Sequence, residues 1–98
     1  MSLPLTFRPI AEEEFDDAAA WYEGQRPGLG AEFVAAVQQV LDEIAARPGR
    51  FPAESGDTRE APIRRFPCCV YYRTRPGRVV VIAVLHTSRD PAVWQSRS

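Results

Sequence analysis

At 98 residues the chain can bury one hydrophobic core and is too short for two. Hydrophobic residues make up 45% and charged residues 26%, which excludes a disordered or fibrous protein, and the longest apolar run, Val79 to Leu85, is far too short to span a membrane. The opening Met1-Ser2-Leu3-Pro4 lacks the basic and apolar stretches of a secretory leader, so a cytoplasmic protein is expected.

Leu5-Thr6-Phe7-Arg8 reads as a short strand ending at Pro9. A helix is predicted from about Ala11 to Gly24, because Ala11, Phe15, Ala18, Ala19 and Tyr22 repeat along one face. Glu12, Glu13 and Glu14 occupy its first turn, where the helix dipole favours acids. Arg26-Pro27-Gly28 forms a turn, and a second helix follows from about Leu29 to Arg47 with the stripe Phe33, Val37, Val40, Leu41 and Ile44. Two amphipathic helices on a short connection make an antiparallel hairpin.

Pro48 to Thr58 reads as a loop, rich in Gly, Pro and Ser. Arg59 to Arg65 is a strand candidate that Pro62 confines to a sheet edge or a bulge. Cys68 to Thr74 is a clearer strand, and Arg75-Pro76-Gly77-Arg78 suits a type II turn. Val79 to His86 is apolar on both faces, as in a central strand. A tail beginning at Asp90-Pro91 holds one helical turn through Trp94.

The predicted order is therefore β-α-α-β-β-β within a single domain, residues 1–98. The expected class is α+β, a mostly antiparallel sheet packed on one face by the helical hairpin, with the other face open and rich in Arg.

The net charge of −1 conceals a separation. Residues 1–46 carry two Arg against nine acids, a net −7, and residues 47–98 carry ten Arg against four acids, a net +6. Either the basic half meets an anionic partner, or the two halves neutralise each other within the fold. All 12 basic residues are Arg and none is Lys; this usage also fits a GC-rich coding sequence.

Phosphate-binding loops of the G-x-x-x-x-G-K type and serine elbows of the G-x-S-x-G type are absent from the sequence. Cys68 and Cys69 are adjacent, so their side chains leave a strand on opposite faces and cannot readily bridge. With one His besides, no Cys/His metal cluster can be assembled, and neither metal nor cofactor is expected. The acidic run Glu12 to Asp17 is expected to be a solvated helix face.

The chemistry-bearing residues concentrate between Ile63 and Trp94: Arg64, Arg65, Tyr71, Tyr72, Arg73, His86, Arg89 and Trp94. Arg, Tyr and His are what a metal-free ribonuclease needs to activate a 2′-hydroxyl, stabilise a phosphorane and protonate the leaving oxygen. The same groups also serve plain binding to nucleic acid or an acidic peptide, or act as core and solvated rim.

Leu5-Thr6-Phe7-Arg8-Pro9-Ile10-Ala11, Arg64-Arg65-Phe66-Pro67, Val70-Tyr71-Tyr72-Arg73 and the ending Val84-Leu85-His86-Thr87-Ser88-Arg89-Asp90-Pro91 with Trp94 together resemble the ParE toxin family of the RelE/ParE superfamily. The resemblance spans nearly the whole chain. It implies the toxin half of a plasmid-stabilising type II toxin–antitoxin pair, neutralised by an antitoxin whose extended C-terminal segment wraps the toxin. ParE toxins poison DNA gyrase; RelE-type relatives cut mRNA on the ribosome with basic residues and a Tyr or His.

The chain departs from its relatives at Cys68 and Cys69, where many carry an aromatic residue and an Arg. A thiol cannot supply the fixed cation that an RNA-cutting relative places near the phosphate. The expectation is therefore a non-enzymatic inhibitor, with Arg64, Arg65, Arg73, Arg89 and Trp94 contacting the gyrase target or the antitoxin, and no small-molecule substrate. The alternatives are a ribosome-dependent endoribonuclease using Tyr72, Arg73, His86 and Arg89, or a decayed toxin that binds only its antitoxin.

Overall fold

Pro9 sets the start of the first helix in the computed structural model, which describes residues 2–97. Its fixed φ and missing N–H suit the first helical turn. Helix α1 (Pro9–Gln25) follows strand β1 (Leu5–Phe7), and α2 (Leu29–Ala46) follows a turn centred on Pro27. Gly28 takes φ +88°, a left-handed conformation that costs glycine nothing, and offers α2 no side-chain cap. The Glu23 carboxylate supplies that cap instead, accepting the Gly28 N–H at 3.0 and 3.1 Å and the Gly30 N–H at 3.0 Å.

The sheet has five strands in the order β1-β5-β4-β3-β2, with β2 at Ala53–Ser55, β3 at Thr58–Pro62, β4 at Cys68–Arg75 and β5 at Arg78–His86. Strands β2 to β5 pair antiparallel with one another in turn, while β1 lies parallel to β5, so the sheet is mixed. The helical hairpin carries the chain from β1 at one edge of the sheet to β2 at the other, and β5 returns to lie beside β1. Strand β2 falls in the segment expected to be loop. It pairs with β3 across Gly56, which holds φ +57°. It also makes β3 an internal strand, but Pro62 lies past the reach of β2 and so removes no hydrogen bond from that side.

One layer of core joins the hairpin to the sheet. Ala11, Phe33, Val37, Val40 and Ile44 meet Val70, Tyr72, Val79, Val81 and Val84. Phe33 lies at its centre, with the rings of Tyr22, Phe66 and Phe15 at 5.0, 5.2 and 6.0 Å. The predicted stripes on both helices are the faces that pack here.

The strand pairing explains why β5 is apolar throughout. The β4–β5 register slips between Tyr71 and Tyr72, so Tyr72 pairs with Val81 and Tyr71 with Ala83, leaving Ile82 as the extra residue of a bulge. Ile82 and Ala83 consequently share one face with Val80 and Leu85. That face is not open and Arg-rich as expected. Cys69, Tyr71, Val80, Ile82 and Leu85 are buried on it under the C-terminal segment, whose short helix α3 (Ala92–Gln95) presents Trp94. The physical reason is the apolar character of the face itself: it holds too much hydrophobic area to stay in water, and Trp94 covers it.

Candidate functional site

His86 ends β5 and pairs with Cys68 at the start of β4, on the face turned towards α1. Between this end of the sheet and α1 opens a cleft of about 370 Å³, lined by Ala18, Trp21, Tyr22, Cys68, Val84, His86 and Arg89. The floor is apolar, and donors stand at the rim. His86 Nδ1 accepts the Ser88 backbone N–H at 3.0 Å and lies 2.8 Å from Ser88 Oγ. With Nδ1 accepting, the neutral ring carries its proton on Nε2. Arg89 has no carboxylate partner among the described residues. Tyr22 Oη sits 3.6 Å from Cys68 Sγ, and burial, aided by that thiol, pushes the phenol up to about 12. Burial likewise raises the Cys68 thiol, so this Cys and Tyr enter the cleft neutral.

Trp21 is the most exposed large hydrophobic among the described residues, with 61% of its surface accessible. Sequence reasoning passed over it. The signal was present, since Trp21 lies outside the stripe Ala11, Phe15, Ala18, Ala19, Tyr22, and a Trp off the buried face of a helix must meet solvent or a partner.

The residues expected to form a ribonuclease site are not gathered at one point. Tyr72 is fully buried beneath the helices, where its hydroxyl donates to the Pro48 carbonyl at 2.6 Å. Arg73 follows it on the strand and faces the other side, donating to Thr58 Oγ1 at 3.0 Å and to the Arg97 carbonyl at 2.7 Å. His86 lies five residues beyond Val81, the partner of Tyr72, about 15 Å along the strand. Only His86 and Arg89 share a cleft.

The expected contact residues are also dispersed. Arg64 and Arg65 stand on the β3–β4 loop beside α2, largely exposed, and donate to Glu43 and Glu32 at 2.9 Å each. Trp94 is only 4% exposed and stacks on Tyr71 with ring centroids 4.5 Å apart. Four of the seven ion pairs among the described residues join the acidic half of the chain to the basic half: Arg50 and Arg64 to Glu43, Arg65 to Glu32, and Arg97 to Glu14. Much of the charge separation is thus neutralised within the fold. Glu14 departs from the expected solvated face, because its carboxylate also accepts the Val84 N–H at 3.1 Å.

A mixed sheet with one helical hairpin, and no metal-binding cluster among the described residues, is what this geometry offers for comparison. None of its helices is long and apolar enough to cross a membrane. A search of the curated proteins gave no match. Among solved structures, a chain of the "Chromosomal ParDE TA system from P. aeruginosa" superposes with a TM-score of 0.76 at 13% identity, covering 87% of this chain and 96% of that one. The likeness confirms the fold. The family model for the ParE toxin of type II toxin–antitoxin systems matches residues 5–91, from β1 through the His86–Arg89 corner, and on that match the chain belongs to the ParE toxin family.

Proposed function

We propose that this ParE-type toxin acts by binding a macromolecular target, DNA gyrase, and not by cutting RNA. The observation that carries the reading is the dispersal of Tyr72, Arg73, His86 and Arg89: the Tyr72 hydroxyl is buried and bonded to a backbone carbonyl, and Arg73 lies on the opposite face of the sheet. General acid–base chemistry needs its groups within hydrogen-bond reach of one reacting centre. Binding needs only a surface, and Trp21, Arg64, Arg65 and Arg89 offer exposed residues of the types that dominate interface energies. The partner that neutralises the toxin is an antitoxin, whose amphipathic, acid-bearing segment suits the apolar cleft under Trp21 and the exposed guanidinium of Arg89.

The test is inducible expression of the chain alone in bacteria, with DNA and protein synthesis pulse-labelled in the first minutes. An early fall in DNA synthesis while translation continues supports the gyrase reading, and purified toxin should then inhibit supercoiling. An early fall in translation overturns it, and a loss of roughly 10²-fold in cleavage on His86→Ala would then identify a nuclease. If neither falls, the toxin is inactive towards both targets.

A further inference from the structure

The C-terminal segment covers the β4–β5 part of one sheet face, yet side chains do nearly all the fastening. Thr87 N–H donates to the Pro67 carbonyl at 2.9 Å, the last backbone–backbone hydrogen bond from this segment to the rest of the sheet. Among the described residues every later one runs locally: Arg89 to His86, Val93 to Asp90, Trp94 and Gln95 to Pro91, Ser96 to Ala92, and Arg97 to Trp94. Two anchors hold the segment down. Trp94 stacks on Tyr71. Arg97 donates to both Glu14 oxygens at 2.8 and 2.7 Å and to the Ile82 carbonyl at 3.0 Å, while its own carbonyl accepts from Arg73 at 2.7 Å.

The second anchor sits where the sheet is incomplete. Strand β1 pairs only with Val79 to Val81, so beyond the bulge no strand flanks β5 on that side. The Ile82 carbonyl and Val84 N–H on this edge are satisfied by Arg97 and Glu14 in place of a backbone partner. Detaching the segment therefore breaks no ladder hydrogen bond and removes nothing from the core between sheet and helices. It exposes Cys69, Tyr71, Val80, Ile82 and Leu85, and frees the Ile82 carbonyl.

From this we infer that residues 88–97 form a hinged strap, latched by Trp94 and by the Arg97–Glu14 pair, which opens as a unit while the sheet and the helical hairpin stay folded. Few long-range backbone bonds and attachment through two side chains are the marks of a low-stability cooperative unit. The conformational entropy regained by the freed residues opposes the two anchors.

The adjacent cysteines make the strap measurable. Cys69 lies beneath it, and Cys68 lies on the other face against Tyr22. The full-length protein is treated with iodoacetamide across low urea concentrations, and each cysteine's modification rate is read by mass spectrometry beside the global unfolding curve. A latched strap requires that Cys69 react at least about tenfold faster than global unfolding permits, with a shallow urea dependence. Arg97→Gln should raise the Cys69 rate about tenfold again while leaving the Cys68 rate unchanged, and Arg97→Lys should recover part of the protection. A Cys69 rate that tracks global unfolding with its full urea dependence overturns the proposal. So does an Arg97→Gln effect equal at both cysteines, which would mean general destabilisation.

Discussion

Tyr71 and Tyr72 are neighbours in the chain that face opposite sides of β4. Tyr72, fully buried, ties the sheet to the loop after α2 through its 2.6 Å bond to the Pro48 carbonyl. Tyr71 stacks under Trp94 and donates to Glu60 Oε1 at 2.9 Å. Removing the two hydroxyls should therefore cost different amounts. Tyr72→Phe takes the donor from the half-buried Pro48 carbonyl at the end of a fully buried side chain and should lower stability by about 1–2 kcal/mol. Tyr71→Phe leaves a carboxylate that water can reach, and should cost less than about 1 kcal/mol. Urea titration of both variants checks the order, and equal losses would contradict the assignment of Tyr72 as a structural tie.

The helical hairpin is closed at Gly30. A Cβ at this position would meet the Ala19 carbonyl at 2.8 Å and the Glu23 Cβ at 3.0 Å. Alanine gains about 1 kcal/mol over glycine in helix propensity, but overpacking a fixed contact costs about 1–3 kcal/mol. The contact also disturbs Glu23, the residue capping α2. Gly30→Ala should be net destabilising, lowering the thermal midpoint by about 5 °C. A rise in the midpoint would mean that the hairpin separates more easily than the packing implies.

The hairpin and the β4–β5 pair were legible because each repeats a period: Phe33, Val37, Val40 and Ile44 along α2, and the β-branched run of β5. Strand β2 left no such trace. Its three residues pair through the backbone alone, between Pro52 and Gly56, in a segment whose composition reads as loop. The covered second face was hidden for two reasons. Ile82 and Ala83 break the alternation at the bulge, which masks the phase of β5, and a four-residue helix carrying one Trp has no period to read. For the candidate site, the residue types were legible and their grouping was not. That Arg64 is paired with Glu43 depends on how α2 lies against the β3–β4 loop, which spacing along the chain does not encode.

Arg65 is the one described non-glycine residue with a positive φ, at +72°. An L-residue in this conformation carries about 1–2 kcal/mol of backbone strain. Its exposed pair with Glu32 returns well under that. Arg65→Gly should therefore raise the urea midpoint slightly, by about 0.5 kcal/mol or more in stability. Arg65→Ala, which loses the ion pair and keeps the strain, should lower it. The same order in target binding would be unexpected: if Arg65 contacts the target, both variants bind more weakly whatever their stability.

Alkaline pH should destabilise the protein earlier than its tyrosines alone would require. Burial first, and the nearby Glu60 second, push the Cys69 thiol up to about 12 from its ordinary 9.0, and burial raises Cys68 in the same direction. Above about pH 9 the unfolded chain loses both thiol protons while the folded chain keeps them, so stability falls as pH rises, by at most about 1.4 kcal/mol per pH unit for each thiol. Between about pH 9 and 10 the thiols carry this slope. Above pH 10, Tyr22, held up near 12 by burial, and Tyr71, raised by burial and by Glu60, steepen it. Below pH 9 both thiols are protonated in either state and contribute no slope. Unfolding free energies measured from about pH 8 to 10.5 should therefore be flat, then fall. Cys69→Ala should make the slope between pH 9 and 10 clearly shallower without altering the flat region's shape. An unchanged slope in that variant would mean that Cys69 ionises in the folded protein as readily as in the unfolded chain, and that the face beneath Trp94 is open to hydroxide.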